Sequence, residues 1–150
     1  MARRGVQDFS PARLRTARGR ANLTLEVLAD MSGVSVATLS ALERNVSQPG
    51  VVTIAAIAKA LDIHISQLVP VPEARRTLDH LRVYVGLRQD DVAAALGVST
   101  TVVAQMERGR KPVTAERAQQ LATLYEVSVD AVTAAWGRTN DARAARLNKQ

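Results

Sequence analysis

The chain has 150 residues, 47% of them hydrophobic but only 3% aromatic, and a formal net charge of +6. That is enough Leu, Val, Ile and Ala for the core of one ordinary domain or of two small ones. The lack of cysteine excludes disulfides, thiolate metal sites and cysteine nucleophiles; no apolar run approaches the roughly 18 residues of a membrane span, and "MARRGVQDFS" lacks the apolar centre of a signal peptide, so a cytoplasmic protein is expected.

The chain opens basic. Arg3, Arg4, Arg13, Arg15, Arg18 and Arg20 face a single acid, Asp8, which points to a polyanionic partner. Ser10 caps and Pro11 occupies the first turn of a helix that runs to about Asn22. Thr24 caps a second helix ending near Ser32, and Gly33, free to take positive φ, turns the chain sharply. Ser35 caps a third helix, 36–44, with Leu39 and Leu42 inward. After "NVSQPG" a fourth helix carries the stripe Ile54, Ile57, Ala58 and Leu61 at helical spacing, and Ser66 starts a last short turn. In "VPVPEARR", Pro70 and Pro72 make a short, stiff linker, and Pro72 is expected to open the next helix.

The second half of the chain repeats the first. "GVSVATLSALERN" (33–45) returns as "GVSTTVVAQMERG" (97–109), an offset of 64 residues. Leu14 falls on Leu78, Arg18 on Arg82, Leu23 on Leu87, Ala29 on Ala93, Glu43 on Glu107 and Ala58 on Ala122, with no insertion between Leu14 and Leu68. A unit of this length with its own apolar periodicity reads as a duplicated domain. Ser99 and Thr114 are caps in the second copy, and Ala118, Leu121, Ala122 and Tyr125 form its stripe. The expectation is an all-α chain of two tandem five-helix domains: 1–69, a linker 70–75, 76–136, and a basic tail 137–150. Trp136 is expected to plug the second core, and Arg138, Arg143, Arg146 and Lys149 to be solvated charges on a loose chain end.

A helix, a glycine turn and a short Ser-capped helix make a helix-turn-helix pattern, which suits the second helix to the major groove of B-form DNA. The runs "LADMSGVSVATLSALERN" to "PGVVTIAAIAKALDI" and "GLRQDDVAAALGVSTTVVAQMERGRKPVTAERAQQLATLYEVSVDAV" resemble the lambda-repressor/Cro-like (XRE) family over residues 12–69 and 76–134. The resemblance implies that 36–44 and 100–108 are groove helices. In the second copy Thr100, Thr101 and Gln105 then face bases, where Gln can pair with adenine and Thr offers a hydroxyl and a methyl. Gln89 holds the position of the family's phosphate-binding glutamine, and Arg88, Arg108, Arg110 and Lys111 are further phosphate candidates. Arg18 with Glu43, and Arg82 with Glu107, are expected to be structural ion pairs between first and third helices, as the family commonly has them.

The first copy departs from this pattern. Leu25 replaces Gln89, and the outward positions are Val36, Ala37, Thr38, Ser40 and Ala41. Three readings stay open: close-range recognition of thymine methyls and shape with help from Arg44; anchoring through Arg3, Arg4, Arg13, Arg15 and Arg44, with the arm in a minor groove; or a protein-binding face. The expected function is sequence-specific binding of double-stranded DNA by a transcriptional regulator, a repressor before an activator, associated with the nucleoid. Homodimerisation stays open. An antitoxin-like or anti-activator protein-binding module is the alternative. No enzyme is expected: His64 and His80 lie in different copies, and Asp90 and Asp91 sit in a first helical turn, where acids complement the dipole. No cofactor, metal site, small-molecule ligand or membrane contact is expected either.

Overall fold

The computed structural model describes residues 5–149. Within them the chain is wholly helical and falls into two compact units that divide between Val71 and Pro72. The first contains α1 (Pro11–Arg20), α2 (Leu25–Ser32), α3 (Val36–Glu43) and α4 (Val51–Leu61), then a 3-10 turn at Ile65–Gln67. The second begins with a 3-10 turn at Glu73–Arg75 and continues through α5 (Leu78–Tyr84), α6 (Gln89–Leu96), α7 (Thr100–Glu107), α8 (Ala115–Tyr125) and α9 (Val129–Asn148).

Side-chain caps set the helix starts. Ser10 Oγ accepts from Arg13 N–H at 3.2 Å, Thr24 Oγ1 from Val27 N–H at 3.2 Å and Ser35 Oγ from Thr38 N–H at 3.1 Å. Ser99, Thr114 and Ser128 do the same for α7, α8 and α9. Each cap satisfies one of the N–H groups that a helix leaves without an internal partner. The apolar stripes close the cores. Leu14, Leu28, Leu39, Ile54 and Ile57 are fully buried in the first unit, and Val92, Leu121, Val132 and Ala135 in the second.

The repeat extends to the backbone. Residues with positive φ are Asn22, Gly33, Asn45 and Asp62 in the first unit and Gly86, Gly97, Gly109 and Glu126 in the second, each pair 64 positions apart. Gly33 and Gly97 (φ 74° and 68°) end the helix before the sharp turn, a conformation that costs glycine nothing.

Three of the sequence expectations are not met. Pro72 opens no helix: it precedes the 3-10 turn, and α5 starts only at Leu78, where Thr77 N–H donates to His80 Nδ1 at 2.9 Å. The last element of the second unit is no short turn but a helix of 20 residues. At the equivalent point the first unit runs into Val69, Pro70, Val71 and Pro72, whose prolines cannot continue a helix, whereas Val129–Asn148 is proline-free and rich in Ala and Arg. Residues 137–148 are therefore no loose tail. Thr139 is buried, accepts from Leu78 N–H at 3.2 Å and donates to Ala135 O at 3.0 Å, and Arg138 donates to Arg76 O at 2.8 Å. Trp136 packs, partly buried, against the core of this unit.

Candidate nucleic-acid interface

One arginine per unit fixes the third helix. Arg18 Nε and one terminal nitrogen donate to Glu43 at 2.7 and 2.9 Å, while the other terminal nitrogen donates to Leu23 O at 3.0 Å. Arg82 grips Glu107 at 2.7 and 3.1 Å and Leu87 O at 2.9 Å in the same way. A planar fork that meets a carboxylate through two parallel bonds has little angular freedom, so α1 with α3, and α5 with α7, are locked together with the turn between. The hydrogen bond to Glu43 raises the Arg18 pKa against mild desolvation. Burial works to lower that of Arg82, but the hydrogen bond and charge of Glu107 outweigh it and the net shift is upward. Both guanidinium groups stay charged.

On α7, Thr101 is exposed and Gln105 half-buried, and neither side chain has a hydrogen-bond partner among the described residues. Thr100 is exposed, but its hydroxyl donates to Asp90 Oδ1 at 2.7 Å. Gln89 does not point its amide freely outward: Nε2 donates to Glu107 Oε1 at 2.9 Å, which leaves one N–H and the carbonyl for any other partner. Arg88 faces Asp91. Its N–H donates to Asp91 Oδ2 at 2.8 Å and its guanidinium lies 3.4 Å from Oδ1, an exposed pair. Beyond α7, Arg110 N–H and Lys111 N–H both donate to Gln105 O, at 2.8 and 3.3 Å. The loop therefore folds back on the helix end and holds Arg108, Arg110 and Lys111 there, all exposed and without an anionic partner among the described residues.

The first unit presents a different face. Val36, Ala37 and Thr38 are exposed, and Ser40 and Ala41 half-buried. The Thr38 hydroxyl accepts from Ser35 Oγ at 2.8 Å, and Ser40 Oγ from Arg44 Nε at 3.2 Å. Arg15 is less free than its sequence position implies, since its guanidinium donates to the Glu43 backbone carbonyl at the end of α3. Arg13 is exposed on α1; Arg3 and Arg4 lie outside the described residues. Arg15, Leu25, Ser40, Glu43, Arg44 and Asn45 help to line an open depression of about 740 Å³, a concavity that was not expected. Leu25 leaves Glu43 without the amide donor that Gln89 gives Glu107.

Exposed apolar side chains mark a further difference, which extends well beyond α3. Val27, Met31, Val36, Val46 and Val52 are 43%, 54%, 37%, 66% and 58% exposed. Their repeat partners are Asp91, Ala95, Thr100, Arg110 and Glu116. Reading α3 alone missed four of these five; setting the copies side by side for apolar-for-polar exchanges finds Val27, Val46 and Val52, whereas Met31 stands opposite the small, apolar Ala95.

Among the described residues no group of His, Asp and Glu is arranged to hold a metal, and no single helix is long and apolar enough to cross a membrane. A helix-turn-helix family model matches residues 14–68, and a helix-turn-helix domain model matches residues 73–136. No curated protein and no solved structure matches the chain. The chain thus carries two helix-turn-helix domains in tandem, a kind of module typical of DNA-binding regulatory proteins.

Proposed function

We propose that this chain is a sequence-specific, double-stranded-DNA-binding transcriptional regulator of the lambda-repressor/Cro-like kind, a repressor before an activator, that works on the nucleoid. The observation that carries the reading is the outward face of α7. Thr101 and Gln105 are unpartnered there, and the helix ends in three cations, Arg108, Arg110 and Lys111, that lack an anion among the described residues. Base-edge groups beside phosphate-binding charges are what recognition in a groove requires. Thr100 and the remaining amide valences of Gln89 complete that face, while Arg88, paired with Asp91, contributes at its edge. Tethering the units makes the second binding event intramolecular, so one chain can cover two unlike half-sites.

The first unit adds phosphate anchoring through Arg13, Arg44 and the free part of Arg15. A second reading, a protein-binding module of the antitoxin or anti-activator type, is favoured by the exposed Val27, Met31, Val36, Val46 and Val52.

Selection of bound sequences from a random DNA pool, followed by titration against salt, tests the proposal. Affinity should fall with a log–log slope of about −0.9 per phosphate neutralised. Arg108→Ala and Lys111→Ala should weaken binding to every sequence, whereas Gln105→Ala should relax preference at one or two base pairs, at a cost of about 1–3 kcal/mol of discrimination. Equal behaviour of the two classes would reject the assignment, and a strict palindrome with one chain per half would reject the tethered arrangement.

A further inference from the structure

The C-terminal half of α9 lies against the loop that connects the groove helix to α8. Gly109 is buried in that loop at φ 73°. A Cβ placed on it would meet Asn140 Cα at 3.2 Å, Thr139 O at 3.3 Å and Arg143 Cβ at 3.5 Å. Only a residue without a side chain lets the loop settle this closely on the helix. The repeat partner of Gly109 is Asn45, which is exposed; the first unit has no helix in place of residues 137–148.

The contact has an electrostatic result. Arg108 and Arg110 flank Gly109 in the chain, Lys111 comes next, and Arg143 projects from α9 beside it. Arg146, one helical turn further on the same side, is exposed. None of these five cations has a hydrogen-bond or ion-pair partner for its side chain among the described residues. Like charges held together by a fold repel one another, and a polyanion relieves that repulsion on binding. The helix is also firmly seated, through Thr139 to Leu78 N–H and Arg138 to Arg76 O, so Arg143 is presented from a rigid element.

Resting on the DNA-binding reading, we infer that α9 supplies a backbone-phosphate site outside the helix-turn-helix, with Arg143 as its centre and Arg146 at its edge, continuous with the cationic loop 108–111. It takes phosphodiester oxygens of the duplex flanking the base pairs that α7 faces. It carries no sequence information.

The test uses the full chain and a random-sequence duplex, with affinity measured across a range of salt for wild type, Arg143→Gln, Arg143→Lys and Arg143→Ala. Arg143→Gln and Arg143→Ala should flatten the log–log salt slope by about 0.9, the value of one phosphate contact. Arg143→Lys should keep the wild-type slope, and phosphate ethylation of a duplex that carries the selected sequence should lose one interfering position with Arg143→Gln. Comparison of Gln and Ala separates charge from side-chain packing, and thermal melts report the fold of each variant. A folded Arg143→Gln protein with an unchanged slope would overturn the site while leaving the regulator reading intact. A wild-type chain whose affinity for the duplex ignores salt would overturn both. Displacement by polyglutamate as effective as by duplex would show a general cationic surface instead and reject the site.

Discussion

Thr100 gives its only hydroxyl hydrogen to Asp90, across 2.7 Å from the first residue of α7 to the first turn of α6. A carboxylate can only accept, so the proton is committed and what the hydroxyl offers outward is its lone pairs. In the proposed interface Thr100 would therefore act as an acceptor, suited to the amino group of cytosine or adenine and not to O6 or N7 of guanine. The repeat partners Glu26 and Val36 cannot form this pair. Asp90→Ala and Thr100→Val should both broaden the selected motif, and at the same base pair. Selection from a random pool checks this, and changes at different positions, or at none, would remove Thr100 from the reading face.

The two ion pairs should differ in weight. The side chains of Arg18 and Glu43 are 24% and 8% exposed, those of Arg82 and Glu107 13% and 6%. Glu107 moreover accepts from Gln89, and Glu43 has no such donor from Leu25. Removal of one member of a buried pair costs about 3–5 kcal/mol, because the other is left charged in the interior. Glu107→Ala is expected to reach that range in the second unit, and Glu43→Ala to cost less in the first, where water reaches the guanidinium. Hydrogen exchange resolved by unit measures both. A loss below about 1 kcal/mol for Glu107→Ala, the scale of an exposed pair, would contradict this.

Tyr125 is buried and its hydroxyl has no hydrogen-bond partner among the described residues. Burial, followed by the nearby Glu107 charge, pushes its pKa upward, so the phenol stays neutral and desolvated. Tyr125→Phe should therefore leave stability unchanged or raise it by about 1 kcal/mol, since an unsatisfied polar group is removed and the ring is kept. A thermal melt reads the sign, and a clear loss would show that the hydroxyl is bonded.

Asp91 carries a pH dependence. The backbone N–H of Arg88, then its guanidinium, hold this carboxyl below its ordinary value of 3.8. A group whose folded pKa is depressed contributes stability above its unfolded pKa and loses it as pH falls through the folded value. Asp91→Ala should lower the melting temperature at neutral pH, and the gap to wild type should close as pH drops below 3.8. A gap constant across that window would place the effect elsewhere.

Much of the fold was legible because both copies use the same backbone devices. α6, α7 and α8 repeat the bounds of α2, α3 and α4 at the offset of 64. Even Asn22 and Gly86, which share no side chain, adopt the same left-handed conformation, since Asn tolerates it as Gly does. Other features were hidden for tertiary reasons. The inward turn of Gln89 depends on where Glu107 arrives from another helix. The extent of α9 depends on Leu78 and Gly109 to receive it, and nothing local in "WGRTNDARAARLNKQ" announces those contacts. Asp90 was read as a helix-dipole acid because its partner lies across the turn.

The guanidinium that ties its own helix to two other chain segments has an evolutionary consequence. Because the tilt of α3 and α7 is dictated from beneath, by Arg18 and Arg82, the side that looks away from the body carries little of the structural duty. Ala41 in place of Gln105 then alters what a domain meets without disturbing how it stands, while Val36 in place of Thr100 also gives up the bond to the neighbouring helix. A duplicated gene built this way can let one half drift toward a new partner while its twin keeps the old one.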